Sequence, residues 1–510
     1  ICKSNNVNVY LAMNTLVKNS EIRDFFEQLS FAYSKGIDAV IIQENSFINL
    51  IKKNYPDLRV HMSTQASVMN SSHANLLSKS DRITLARELS YDEIKGIRSK
   101  YSKELEIFGH GALCVCISGQ CLFSSFLGGR SGNRGKCAQP CRKKYENSYY
   151  FSTKELCLID KIPEIIESGV DSLKIEGRMR TPYYVATVTE IYRKAIDNYY
   201  SGEFKITDEM KKRLKNAFSR EFTQGWFNKE NAFNRNNASG ESKAIEKEMY
   251  NVKIKDIDCE RKKIDFNIPE FRERIGKKEI LVRVYNKEDA ILADLNGANV
   301  IYMDLFDENF VSAKKKIKCK LFGVTPRIML DSDEVVSLIK EKKPDGLLAG
   351  NNGVLSLNLN IPIHLDYNIN CFNDIDMDYY STCLPIVSPE LSIKEMSFFK
   401  NKDFVAMVHG KIRLMILRHD LDKDSIRDNR GEFIINKIRN GSEVINGKEL
   451  GLLGKSRQLL KIGVNKFFID TDKRVGEVVK LYRDILDGKQ IDDSKLKKEY
   501  VLGWSFKGVI

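Results

Sequence analysis

The chain repeats itself, and the repeat restricts its architecture more than any other feature. His61-Met-Ser-Thr-Gln-Ala-Ser67 parallels His364-Leu-Asp-Tyr-Asn-Ile-Asn370 at an offset of 303. Arg87-Glu-Leu-Ser90 parallels Pro389-Glu-Leu-Ser392 at 302, and His110-Gly111 parallels His409-Gly410 at 299. Lys154-Glu-Leu156 with Lys448-Glu-Leu450, and Gly169-Val170 with Gly463-Val464, follow at 294. Tyr192-Arg193 with Tyr482-Arg483 stands at 290 and Gly225-Trp226 with Gly503-Trp504 at 278. Matches that keep their order while the offset drifts are what duplication leaves once loops gain and lose residues.

Each copy alternates short apolar runs with amphipathic stretches. In the second copy the strand-like runs are Ile280–Val284, Val300–Asp304, Phe322–Met329, Gly346–Ala349, Ile361–Leu365, Pro385–Ser388, Val405–Val408 and Phe467–Ile469. Such runs separated by helix-length segments predict a (β/α)8 barrel. The first copy shows six: Val7–Ala12, Ala39–Ile42, Leu58–His61, Ile83–Leu85, Ile107–Phe108 and Leu173–Ile175. Ser90-x-x-Glu93 and Ser392-x-x-Glu395 read as capping boxes at matching positions.

Lys278 to Lys318 has no counterpart ahead of Val7, and the first residue is Ile1, so a strand, helix and strand are expected upstream of this chain. The expected fold is α/β: two tandem TIM-type (β/α)8 barrel-like repeats, the first lacking its N-terminal strands and the second degenerate. The expected boundaries are 1–227 for the first barrel and 228–278 for a linker with a small extra element. The second barrel is expected at 279–487 and a C-terminal extension at 488–510. Asn228–Gly240 is the linker proper, and 241–278 has room for strands of its own.

A chain of 510 residues exceeds what one core supports. No stretch approaches the roughly 20 apolar residues that span a bilayer. No secretory signal is present either, so a cytoplasmic protein without an oxidising compartment is expected. The net charge of +13 suits an anionic partner such as RNA, although lysine enrichment alone gives the same number.

Six of the eleven cysteines fall between Cys114 and Cys157: Cys114, Cys116, Cys121, Cys137, Cys141 and Cys157. Soft thiolates select zinc or iron–sulfur clusters, so a metal centre is expected; disulfides and buried free thiols are the plainer readings. A zinc ribbon ordinarily shows paired Cys-x-x-Cys, and none occurs. The cysteines begin directly after His110-Gly111, at the C-terminal end of a strand, where barrels gather their chemistry. His61, Ser63 and Gln65, then Arg87 and Glu88, then Lys174, Glu176 and Arg178 occupy the ends of other strands. In the second copy Cys114 and Cys121 align with Arg413 and Asp420, and Glu176-Gly-Arg178 with Asp470-Thr-Asp472. Copy one kept the chemistry; copy two reads as scaffold or binding surface.

Hydrolysis needs an activated nucleophile, an oriented base or an open metal. There is no His-Glu-x-x-His and no Gly-x-Ser-x-Gly, which leaves a cysteine paired with His110 or His61. Arg130, Arg134, Lys136, Arg142, Lys143 and Lys144 flank the thiols. They suit a phosphate backbone, a solvated loop, or neutralisation of thiolate charge. Tyr145, Tyr149, Tyr150 and Phe151 could stack on bases or pack the rim. Glu176 with Arg178 reads as a strand-end ion pair or as a substrate clamp.

Three long motifs carry a family resemblance. They are His110-Gly-Ala-Leu-Cys114 through Ser118-Gly-Gln-Cys121-Leu-Phe-Ser124, Gly129-Arg130 through Cys137-Ala-Gln139-Pro-Cys141-Arg142, and Ser172-Leu-Lys174-Ile-Glu176-Gly-Arg178-Met-Arg180. With His61-Met-Ser-Thr-Gln65-Ala and Tyr184 to Arg193, they resemble the peptidase U32, or collagenase-like peptidase, family over about residues 7 to 227. The resemblance implies either a peptidase acting on protein chains or an enzyme inserting oxygen into a tRNA uridine, a ribosomal RNA cytidine or the ubiquinone ring.

It further implies a 4Fe–4S cluster on Cys114, Cys121, Cys137 and Cys141, with Cys157 as the alternative fourth ligand, Cys116 extra, and zinc as the alternative metal. His61, Gln65, Arg87, His110, Lys174, Glu176 and Arg178 are the implied catalytic set. Arg130, Arg134, Arg142, Lys143 and Lys144 are the implied RNA contacts. The expected task is hydroxylation of an RNA base with a small-metabolite oxygen donor. A peptidase is the alternative, and an accessory cluster carrier a third class.

Overall fold

A computed structural model describes residues 1–236, 260–491 and 500–510. In the first half, six parallel strands form a curled sheet. They are β1 (Tyr10–Met13), β2 (Ala39–Ile42), β3 (Arg59–Met62), β4 (Arg82–Thr84), β5 (Glu104–Ala112) and β7 (Ser172–Ile175), paired in the order 1-2-3-4-5-7. Strand β5 is long enough to do two jobs. Its first part pairs with β4 and β7; beyond a bulge at Gly109, residues 110–112 pair antiparallel with β6 (Glu155–Cys157), which carries β8 (Phe222–Thr223).

The β-branched run Ala39-Val-Ile-Ile42 sits in the middle of this sheet, buried on both faces as parallel strands require. All six sequence-expected runs of this half appear as strands. Strands β6 and β8 were not expected; each is too short to show a period.

The second half is larger. A two-residue strand β9 (Arg274–Ile275) leads to β10 (Glu279–Arg283), β11 (Val300–Asp304), β12 (Lys320–Val324), β13 (Gly346–Ala349), β14 (Ile363–Leu365) and β15 (Leu384–Pro385). After β16 (Asn401–Lys402), which pairs with β9, comes β17 (Val405–Gly410). Four antiparallel strands follow: β18 (Arg413–Leu417), β19 (Ser425–Asp428), β20 (Gly431–Ile438) and β21 (Gly441–Asn446). The described chain then adds β22 (Leu450–Gly451) and β23 (Lys466–Asp470).

Strands β15-14-13-12-11-10-23-17 form one parallel sheet, and a parallel bridge from Ile386 to Val405 joins its two ends. The run expected at Phe322–Met329 is corrected to Lys320–Val324: Pro326 has no N–H to continue the ladder. The run expected at Pro385–Ser388 shrinks to Leu384–Pro385 plus the Ile386 bridge. The antiparallel sheet β18–β21 was not expected at all.

Paired positions of the repeat adopt matching conformations. Gly111 and Gly410 take φ of 110° and 115°, and Ser67 and Asn370 take 58° and 60°. Tyr192 and Tyr482 each donate a 2.8 Å hydrogen bond to the carbonyl preceding His110 or His409. Ser90 and Ser392 both form complete capping boxes.

The halves meet along a polar seam made reciprocally. Asn70 caps its own helix through His73 N and donates to the Met329 carbonyl at 2.6 Å. Its counterpart Asn373 caps through Asp376 N and donates to the Val17 carbonyl at 2.9 Å and to Glu44 at 2.8 Å. Ser46 donates to Asp376 at 2.5 Å.

The region expected as linker falls partly on residues 237–259, outside the described ones. Its near end, Ala232–Arg235, hydrogen-bonds along Tyr149–Lys154, and its far end runs over the first half, with Phe266 stacked on Phe26 at 5.7 Å.

Candidate functional site

The cysteine segment starts where β5 ends. Gly111 brings the backbone close to β7, where a Cβ would lie 2.6 Å from the Glu176 carbonyl. Arg87, stacked 4.5 Å over Phe108, donates to the Ala112 carbonyl at 2.8 Å and to Ser118 Oγ at 3.3 Å, fixing the start of the loop. The loop then lies along β18 of the other half: Ile117 N donates to the Ile416 carbonyl at 2.9 Å and Leu122 N to the Leu414 carbonyl at 2.8 Å. The short helix Phe123–Gly128 follows, ended by Gly129 at φ 73°. Phe123, Tyr145 and Phe151 cluster with Phe433 of β20, so the segment packs into the core of the second half.

Four thiols of this segment act on one another electrostatically. Cys121 is the most acidic: a hydrogen bond from Cys116, with the Phe123 and Ser124 amides at the start of that helix, holds it below the ordinary thiol range. Burial and then the charge of Cys121 push Cys114 up to about 12. Burial followed by Cys121 raises Cys137, and burial followed by Cys114 raises Cys141, on which Cys121 and Cys137 also act. The space over Gly132 borders both Cys137 Sγ and the Cys121 carbonyl. Each raised thiol has its own guanidinium acting against the rise: Arg87 for Cys114, Arg130 for Cys137 and Arg142 for Cys141.

Cys157 stands apart. It lies on β6 with Tyr192 Oη at 3.9 Å, and none of these thiols is among the groups that shift it. Cys116 is buried and links Ile416 N, at 3.4 Å, to Cys121. Among the described residues no three His, Cys, Asp or Glu side chains are placed to chelate one metal ion. A multi-iron cluster is held differently, by thiolates spread around its corners. Four electrostatically coupled thiols with three guanidinium groups and two backbone amides beside them have the donor chemistry such a centre needs.

The remaining expected site residues divide into three groups. Inside the curled sheet, Lys174 pairs with Glu106 at 3.1 Å; Thr84, Ser172 and Arg82 also donate to Glu106, at 2.8, 2.9 and 3.4 Å. Burial raises Glu106, but Lys174 and these donors bring it below the usual carboxylate range. His61 shares this interior, edge-on to Tyr10 at 4.8 Å, and burial with Arg82 and Arg59 lowers it to about 4. His110 is elsewhere. The bulge in β5 leaves it buried among Tyr184, Tyr192 and Phe222, where burial and Arg180 lower it to about 3.

Glu176 accepts the backbone N–H of Arg178 at 3.0 Å rather than pairing with its guanidinium, which reaches the Gly135 carbonyl at 3.4 Å. Gln65 faces a polar cavity on the seam, opposite Gln120 of the cysteine loop. Sequence reasoning missed Glu106, whose apolar-looking strand gave no sign of an inward carboxylate. Glu88, expected only as a strand-end neighbour of Arg87, has both carboxylate oxygens buried, and burial raises it to about 7.

The basic run splits. Arg134 is bound internally to Glu21, at 2.7 and 2.9 Å, and to the Leu16 carbonyl; Arg142 donates to the Thr153 carbonyl at 2.9 Å. Arg130, Lys136, Lys143 and Lys144 are exposed. Tyr145 and Phe151 are fully buried, whereas Tyr149 and Tyr150 sit at the surface under Lys144 and Lys423, at 5.5 and 4.6 Å.

Residues 1–237 match the model of peptidase family U32. The chain is 42% identical over 245 residues to an "Uncharacterized protease" of Methanocaldococcus jannaschii, covering 44% of this chain and 60% of the relative. It is 33% identical over 240 residues to "tRNA hydroxylation protein P1" of Bacillus subtilis, covering 43% and 57%. To the "23S rRNA 5-hydroxycytidine C2501 synthase" of Escherichia coli it is 34% identical over 202 residues, covering 37% and 30%. The chain thus spans about three-fifths of the first two relatives and 30% of the third. Residues 1–237 are thus similar to peptidase family U32 and to proteins named both as proteases and as RNA hydroxylation proteins.

Proposed function

We propose that the first half is an iron–sulfur-dependent enzyme that hydroxylates a pyrimidine in tRNA or ribosomal RNA, giving 5-hydroxyuridine or 5-hydroxycytidine. The observation that carries this reading is the group of four thiols at 114, 121, 137 and 141, each balanced by a guanidinium or by amides. It lies within residues 1–237, which match the family model, and relatives named for tRNA and rRNA hydroxylation support the reading. Cys114, Cys121, Cys137 and Cys141 would hold a 4Fe–4S cluster, which supplies one-electron chemistry when bound. Converting C5–H to C5–OH is a two-electron oxidation, so a small-molecule oxygen donor is required beside the RNA.

In this reading Arg87 holds the loop in register, and the Lys174–Glu106 pair offers a charged, hydrogen-bonding floor beneath it. Arg130, Lys136, Lys143 and Lys144 meet phosphates, while Arg134 and Arg142 keep the loop's shape. RNA as substrate places the activity in the cytoplasm; among the described residues no helix is long and apolar enough to cross a membrane. We also infer that the two halves descend from one TIM-type unit by duplication, as their matched caps and glycines support.

A peptidase is the second reading, and one observation favours it. Cys157 is the cross-strand partner of His110 and borders an outer cleft of about 330 Å³. Burial, however, raises the thiol and depresses the imidazole, so the pair rests neutral rather than as thiolate and imidazolium.

The test is anaerobic purification of the wild type, Cys141→Ser and Cys157→Ser, with nucleoside mass spectrometry of RNA from a deletion strain complemented by each. Iron and visible absorbance are expected in the wild type and Cys157→Ser and lost in Cys141→Ser, with the modified nucleoside following the iron. A colourless wild type, or unchanged 5-hydroxypyrimidines in the deletion strain, overturns the reading. Peptide cleavage by an iron-free Cys114→Ala/Cys121→Ala protein would turn it to the peptidase.

A further inference from the structure

A second chamber lies at the C-terminal ends of the strands of the second half, outside residues 1–237. It measures about 80 Å³, room for several waters or one small molecule. Arg283 ends β10, Arg327 follows β12, Asp366 follows β14, and Arg413 and Ile416 of β18 roof the space. In barrel-like α/β folds this is the end at which ligands bind.

Its lining sets Arg283, Arg327, Arg413 and Arg439 against Asp304, Asp366 and Glu443. Arg327 is buried and donates twice to a single oxygen, Oδ2 of Asp366, from Nε at 3.0 Å and Nη2 at 2.8 Å. The other oxygen of Asp366 accepts Tyr367 N at 2.8 Å. Arg413 is spent on Glu443 at 2.8 Å, on Asp470, and on Tyr285 Oη at 2.6 Å. Arg283 has the charges of Asp366 and Asp470 nearby but leaves one nitrogen without a hydrogen bond. Its Nη1 is buried, has no hydrogen-bond partner, and approaches no closer than 3.6 Å to the doubly used Asp366 oxygen.

Asp470 neutralises Arg413 from below, so the inference rests on this orphan donor and not on net charge. A buried guanidinium N–H without an acceptor is costly, and a planar oxoacid is the group that guanidinium geometry fits best.

We propose that this chamber binds a small oxoanion, a carboxylate or a phosphate, through Arg283 with Arg327 beside it. The ligand would lie one strand from the cysteine loop. Ile416, which borders the chamber, also donates its N–H to Cys116 Sγ at 3.4 Å and accepts from Ile117 N at 2.9 Å. The proposal is independent of the cluster and of any RNA chemistry.

The experiment is titration calorimetry on the full chain with pyruvate and with inorganic phosphate, repeated on Arg283→Gln. One probe is expected to bind saturably and to weaken at least about tenfold in the variant; which probe binds separates a carboxylate from a phosphate ligand. A crystal of the wild type soaked in the same probes covers the case in which Arg283→Gln does not fold. A probe molecule bonded to Arg283 Nη1 supports the proposal, and water alone at that atom overturns it. Failure of both probes to bind the wild type, or unchanged binding by Arg283→Gln, overturns it as well.

Discussion

At the scale of single residues, backbone geometry makes the sharpest demands. Gly111 holds φ 110° with the Glu176 carbonyl where a Cβ would go, so Gly111→Ala is expected to destabilise by about 2–3 kcal/mol, measured by urea unfolding. Gly202 also has positive φ, 78°, but open space around it; Gly202→Ala should lose only about 1 kcal/mol. The cysteine cluster was legible because six of the eleven cysteines fall within one short segment. The task of Cys116 was not, since its hydrogen-bond donor is Ile416, 300 positions later in the chain. His110 illustrates a different limit. One bulged residue in β5 decides whether it faces the sheet interior or the helix layer, and no periodicity reports a single bulge.

At the scale of elements, the two capping boxes offer a paired measurement. Ser90→Ala and Ser392→Ala should each lose about 1 kcal/mol. Sitting in different halves, they should add in the double variant within about 0.5 kcal/mol, checked by denaturant titration. The strands that came out of the sequence were those with β-branched or apolar runs in a regular alternation with helices. The four-stranded insert β18–β21 escaped because it interrupts that rhythm. Its signal was present: Asn440-Gly441, with Asn440 at φ 65°, is a hairpin dipeptide between alternating strands. That insert supplies the seat for the cysteine loop and the roof of the arginine chamber, so the element hardest to read serves both candidate sites.

At the scale of the whole molecule, the seam couples the halves through Glu44 and Asp376. Burial raises Asp376 to about 6; burial and then Asp376 raise Glu44 well above the carboxylate range. Because the folded pKa lies above the ordinary 3.8, the folded state holds its proton more tightly. The associated stability is complete below that value and is lost as pH rises through about 6. Unfolding free energy should fall by about 3 kcal/mol between the two limits, and the fall should shrink in Asp376→Asn, read by denaturant titration at pH about 4 and about 7. Asn70→Ala, which removes the bond to Met329 and a helix cap together, should lose about 2 kcal/mol.

The cysteine loop rests on a strand made much later. Cys141 is the last of the four coupled thiols, and Ile416 follows it by 275 residues. At a synthesis rate of about 5–20 residues per second, the loop waits about 14–55 s on the ribosome before its support exists. For that interval the loop lacks the strand it packs on; in the folded chain Cys114 and Cys137 stay exposed while Cys121 and Cys141 become partly covered. Under the proposed function, order of synthesis thus sets the interval in which all four thiols are open together.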